Sequence, residues 1–139
     1  MTSIAMSYAA PAPRAKVTHS VIAGRILSGL AIAFLTFDGA IKLFPIKAVI
    51  EGSAQLGYRP ETISVIGVVL LACVLLYAIP RTSVVGALLL TGYLGGAIAT
   101  HVRVGNPLFS HILFPTYIAA IAWGGLYLRN AKLRALLTP

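Results

Sequence analysis

Charge is scarce in this chain, and negative charge scarcest. Of 139 residues, 11 are Lys or Arg and only 3 are Asp or Glu, a charged share of 10%. A soluble domain carries about 25%. So few charges cannot cover the outside of a core this apolar, and a soluble globular fold is excluded. Disorder is excluded too, because it needs low hydrophobicity and 58% of this chain is hydrophobic. Cysteine is nearly absent. The one thiol, Cys73, excludes an internal disulfide and a cysteine-only metal site. Without a CxxC pair the chain does not read as a quinone-coupled disulfide exchanger. There is no Ser-His-Asp constellation, no phosphate loop and no haem-type histidine pair at matched depth. His101 and His111 lack the third ligand that a metal site needs, so no metal is expected. The net charge of +8 is spread singly between apolar runs and not gathered on one polar surface. No nucleic-acid partner is therefore expected.

What is present is a set of long apolar runs. Thr62–Pro80, Thr82–Val102 and Val104–Leu128 carry no charge, and about 20 residues of helix cross the hydrocarbon. Val21–Phe44 is interrupted only by Arg25, Asp38 and Lys42. The two bases lie near its ends and can snorkel to the headgroups, whereas Asp38 needs a partner. No small-residue cleavage site follows that run, so it reads as an uncleaved anchor. The expected fold is all-α: a membrane four-helix up-down bundle with spans at about 21–44, 62–80, 82–102 and 107–128, forming one domain over 18–129. Residues 1–17, rich in Ala, Pro and Ser, read as a disordered tail, and 130–139 as a C-terminal tail.

The connections support that bundle. Ile79-Pro80-Arg81-Thr82 ends one helix, and Thr82 or Ser83 is placed to cap the next. Gly105-Asn106-Pro107 reads as a turn. Short loops make successive helices antiparallel neighbours. The longer connection, Pro45–Pro60, carries Ile46, Val49, Ile50 and Ala54 at helical spacing. It predicts a short interfacial amphipathic helix, ended by Gly57. With the N-terminus inside, Arg14, Lys16, Arg25, Arg81, Arg129, Lys132 and Arg134 fall on the cytoplasmic side, against Lys42, Lys47, Arg59 and Arg103 outside. The positive-inside rule then puts both termini in the cytoplasm.

The third run is the most specific: Leu-Leu-Thr-Gly92-Tyr-Leu-Gly95-Gly96-Ala-Ile-Ala-Thr-His101-Val-Arg103. Together with Ile79-Pro-Arg-Thr82, Phe37-Asp38-Gly39-Ala-Ile-Lys42-Leu43, Leu56-Gly57-Tyr58 and Trp123-Gly-Gly-Leu-Tyr-Leu-Arg129, it resembles the DoxX-like family of small bacterial membrane proteins. The resemblance covers residues 22–137 and implies four membrane helices in the cell (inner) membrane. Some relatives are linked to redox systems, including thiosulfate:quinone oxidoreduction, and others to assembly of redox complexes. Many relatives carry a glutamate in span 2 about where this chain has Leu70.

Gly92, Gly95 and Gly96 are small residues that let another helix approach closely, so they read as helix-packing positions or as a homodimer face. The up-down order gathers every acid of the chain at the outer side, along with Lys42, His101, Arg103 and His111. Asp38, Lys42, His101 and Arg103 form the candidate polar site. On span 3, Tyr93, Ala97, Thr100 and His101 share one broad face. Asp38 either pairs with Lys42, His101 or Arg103 to hold helices together, or handles a proton or binds a headgroup. Trp123 reads as a belt aromatic or as the lining of a quinone pocket.

Three functions stay open. The first is a non-enzymatic membrane subunit or scaffold of a redox or quinone-linked complex. The second is a carrier of a lipophilic small molecule or lipid. The third is a membrane enzyme using Asp38 and His101 as its acid/base pair. Quinone is the one cofactor the resemblance suggests, and no other cofactor is evident. Membrane lipid, a redox complex or a second copy are the expected partners.

Overall fold

The computed structural model describes residues 19–44 and 46–138. The proposed tail 1–17 lies outside them. The described residues form helices and no strand. The helices are α1 (His19–Leu43), α2 (Lys47–Gln55), α3 (Pro60–Ala78), α4 (Ser83–Arg103), α5 (Phe114–Arg129) and α6 (Ala131–Leu137), with a π-helical turn at Leu108–Ile112 before α5. Four segments are long and apolar enough to cross a membrane: α1, α3, α4 and Leu108–Arg129. Large apolar side chains such as Ile26, Leu30, Val65, Leu75 and Leu88 stand exposed around the outside. In water that would be a liability; in hydrocarbon it is the required surface.

The four spans form a ring. α1 packs on α3 and α5, α4 packs on the same two, and α1 and α4 stand on the diagonal. The core between them is built from Ala31, Leu35, Leu70, Val74, Tyr77, Leu90 and Leu126, with Cys73 buried beside them. Leu70 is fully buried there, in plain hydrocarbon packing.

Lipid tails are as apolar as leucine, so helix association depends on close backbone approach. Glycine supplies it at three crossings. A β-carbon on Gly24 would lie 2.8 Å from the Gly125 carbonyl oxygen, where α1 meets α5. One on Gly67 would lie 2.9 Å from the Gly39 carbonyl oxygen, where α1 meets α3. At Gly86 it would run into the Tyr77 backbone, where α4 turns back on α3. By contrast, a β-carbon on Gly92, Gly95 or Gly96 would meet nothing within 4 Å. The span 3 glycines, expected at helix contacts, meet no other helix among the described residues.

The helix ends explain the corners. Pro60 opens α3 at its first turn, where a missing N–H costs nothing. Gly57 (φ 79°) and Gly105 (φ 71°) close α2 and α4 in the left-handed region. At each, the next residue's N–H reaches back to the helix: Tyr58 to the Ser53 carbonyl (3.0 Å) and Asn106 to the His101 carbonyl (3.1 Å). Thr82 is the residue before α4, yet its hydroxyl caps nothing there. It donates instead to the Leu76 carbonyl at 2.8 Å, and Ser83 donates to the Pro80 carbonyl at 3.1 Å. The first satisfies an orphan acceptor at the end of α3, and the second braces the turn that follows it. α2 turns Val49, Ile50, Ser53 and Leu56 inward, while Ile46 and Ala54 are exposed. The segment 130–139, expected as a tail, begins as a helix. The Asn130 side chain caps α6 by accepting from the Lys132 and Leu133 N–H groups, and Leu133 is buried.

Candidate functional site

The bundle has two unlike ends. At one, called here the termini end, lie the start of α1, the α3–α4 turn and the end of α5. At the other, the α2 end, lie α2 and the turn between α4 and α5.

At the termini end the interior is filled. Tyr77, fully buried, puts its hydroxyl 2.7 Å from the Ala122 carbonyl oxygen and 3.0 Å from Ser28 Oγ. The Arg129 guanidinium sits 5.1 Å from the Tyr77 ring centre and donates to the Tyr77 carbonyl at 3.1 Å. These bonds satisfy the Tyr77 hydroxyl and carbonyl, which lipid would leave without partners, while Arg129 Nε is buried there with no hydrogen-bond partner among the described residues.

Toward the α2 end the ring opens into a cavity of about 530 Å³. α1 contributes Phe34, Leu35, Asp38 and Lys42; α3 contributes Ile63 and Ile66. α5 adds Phe114, Pro115 and Ile118, and Ser53, Leu56 and Tyr58 close it from α2 and the segment after it. The wall from α4 is the longest: Gly92, Tyr93, Leu94, Gly96, Ala97, Thr100 and His101. Tyr93, Ala97, Thr100 and His101, which helical spacing placed on one face, all line it. Most of the surface is hydrocarbon, with a few polar groups set among it, the usual make-up of a small-molecule pocket.

Asp38 is held by its own helix. Its carboxylate lies 2.5 Å from Lys42 Nζ, one turn on, and both side chains are mostly buried. Asp38 makes no hydrogen bond or ion pair to His101 or Arg103 among the described residues. His101 reaches the cavity but its Nδ1 is bound to the Asn106 amide at 2.7 Å. The π-helical turn brings His111 beside it, ring centres 5.6 Å apart. The two histidines share a smaller cleft of about 270 Å³ with Gln55 and Asn106. Among the described residues no group of three or more His, Cys, Asp or Glu is placed to hold a metal ion. Arg103 lies outside the cavity lining. It donates to the Leu56 carbonyl at 2.5 Å, tying the end of α4 to the C-terminus of α2, where a cation is favoured.

What Tyr58 and Tyr93 bond to emerges only with the tertiary structure. The Tyr58 hydroxyl lies 2.8 Å from Thr100 Oγ1, whose own proton goes to the Gly96 carbonyl, so Tyr58 is the donor. Tyr93 is different. It stands halfway along α4 and lines the cavity, yet its hydroxyl bonds to none of the described residues. Trp123 does not line the cavity; its indole N–H donates to Thr91 at 2.8 Å.

No curated protein and no solved structure matches the chain. Residues 26–125, which hold α3 and α4 and most of α1 and α5, match the DoxX-like family. With four apolar spans around an interior cavity, this integral membrane protein belongs to the DoxX-like family.

Proposed function

We propose that this chain is a non-enzymatic membrane subunit that holds a lipophilic small molecule in the cavity at the α2 end. The Tyr93 phenol carries that reading. A tyrosine hydroxyl away from water ordinarily finds a partner, and one left unmet in an apolar setting costs free energy. Here Tyr93 lines a cavity whose wall also holds Ile63, Ile66, Leu94 and Ile118, with Asp38 and Tyr58 among its few polar groups. A bound molecule with a carbonyl or hydroxyl at that depth supplies the missing bond. A quinone has that chemistry, in keeping with the redox-linked relatives of the family. The acid/base reading draws less support. Asp38 and His101 reach the same cavity, but Asp38 is neutralised by Lys42 and His101 is turned toward Asn106.

The protein purified in mild detergent is expected to retain a lipophile visible by native mass spectrometry. Tyr93→Phe is expected to stay folded and to bind a short-chain quinone about tenfold more weakly, the value of one hydrogen bond. Equal binding by the wild type and Tyr93→Phe sinks the reading. The subunit role is tested by co-purification: a chain that always emerges without a partner protein counts against it. The bases at the termini end favour that end as cytoplasmic, so protease added to intact cells should leave tags at both termini uncut.

A further inference from the structure

Resting on that reading, we infer that the ligand is a neutral-headed amphiphile and that it reaches the cavity sideways, from the bilayer, past the bare flank of α4 at Gly92 and Gly96. The charge balance of the lining sets the head. Its ionic groups are Asp38 and Lys42, which cancel each other across 2.5 Å. The nearby Arg103 keeps its charge but donates to the Leu56 carbonyl and lies outside the cavity lining. Among the described residues no Lys or Arg other than the paired Lys42 lines the cavity to meet a phosphate or carboxylate, and an unpaired anion in such surroundings is heavily penalised. The spare donor is the neutral Tyr93 hydroxyl, which suits a carbonyl or hydroxyl.

Volume sets the rest. About 530 Å³ is within the range for one drug-sized molecule, enough for a ring head and a short piece of chain, while a long tail must lie outside. The way out is visible on α4. Gly92 and Gly96 both line the cavity and are exposed, and a β-carbon at either would meet nothing. Phe34 and Phe114, packed edge to face at 5.6 Å, also line it while remaining 40% and 42% exposed. The cavity therefore reaches the surface that the spans turn to hydrocarbon. Its other side is strapped: Arg103 holds Leu56 and Tyr58 holds Thr100, which fastens α2 and the segment after it over the α2 end.

The test uses the full chain in lipid nanodiscs with three probes: a benzoquinone bearing a decyl tail, the same quinone without the tail, and decyl phosphate. Gly92→Leu and Gly96→Leu are expected to fold, since the added side chain has room. They should slow association of the tailed quinone about tenfold or more, and slow the tail-less one clearly less. Gly95→Leu, on an exposed glycine outside the lining, should change neither. Equal losses for both quinones, or the same loss in Gly95→Leu, overturn the sideways route and leave the binding reading standing. Decyl phosphate binding as tightly as decyl quinone overturns the neutral head. If no probe binds the wild type, the inference falls together with the function beneath it.

Discussion

α4 behaves as two different helices along its length. Its first turns lie hard against α3, with Gly86 pressed on the Tyr77 backbone and Ser83, Ala87 and Leu90 buried. Its last three turns bury only Leu94, leave Gly92, Gly95 and Gly96 open to space and wall a cavity. The same residue type serves opposite ends. Where glycine meets a backbone it tightens the bundle; where nothing meets it, it leaves a hole. In lipid, where packing and not water exclusion holds helices together, that contrast separates the half that stabilises from the half that binds.

The contrast can be broken most violently at Gly86. Gly86→Leu forces a side chain into backbone, which has no flexible end to give way. It should cost about 3 kcal/mol or more and abolish the folded, detergent-stable species seen by size exclusion. A normal elution profile would show that the tight half is not tight. Next comes the ion pair. Asp38→Asn strands the Lys42 ammonium, whose side chain is only 19% exposed, at about 2 kcal/mol. Asp38→Asn/Lys42→Met should recover most of the lost melting temperature. If the double variant melts no higher than the single, Asp38 has another partner.

Tyr77→Phe removes the hydroxyl that links α3 to Ser28 and Ala122. It should cost about 1.5 kcal/mol, read as a lower melting temperature with ligand binding unchanged. Tyr93→Phe should do the reverse, and finding the two interchanged would invert the assignment of the halves. The smallest effect is expected at Gly95. Gly95→Ala should alter stability by no more than about 0.5 kcal/mol, in the stabilising direction, since alanine is the better helix former and nothing crowds the site. A clear destabilisation would show that the open face is covered by another copy of the chain.

Much of the fold was legible in the residues. Three charge-free runs, and one interrupted only by Arg25, Asp38 and Lys42, are long enough to cross hydrocarbon and specify four helices, because lipid leaves no partner for an uncovered backbone polar group. Gly57 announces the end of α2 through the positive φ it alone adopts freely. Helical periodicity put Tyr93, Ala97, Thr100 and His101 on one face, and the cavity is where they face. The glycines show where legibility stops. Gly92 and Gly96 have the four-residue spacing of a packing motif, whereas the glycines that touch, Gly24 with Gly125 and Gly39 with Gly67, are far apart in sequence and show no motif. Spacing records only that a helix has a small-residue face, not whether a neighbour occupies it. The candidate site divides in the same way. Asp38 and Lys42 meet because they lie one turn apart on a single helix. Arg103 leaves the site because the carbonyl it binds is brought near by the turn at Gly57.

The sequence by itself therefore determined what the solvent governs: the four membrane spans, their order and the apolar outside. Only the tertiary structure decided which glycines are contacts and which are gaps, that Tyr93 has no partner, and that a cavity stands between α1 and α4. Those depend on how far apart helices settle when summed van der Waals contacts balance across the whole ring, a sum that no single segment contains.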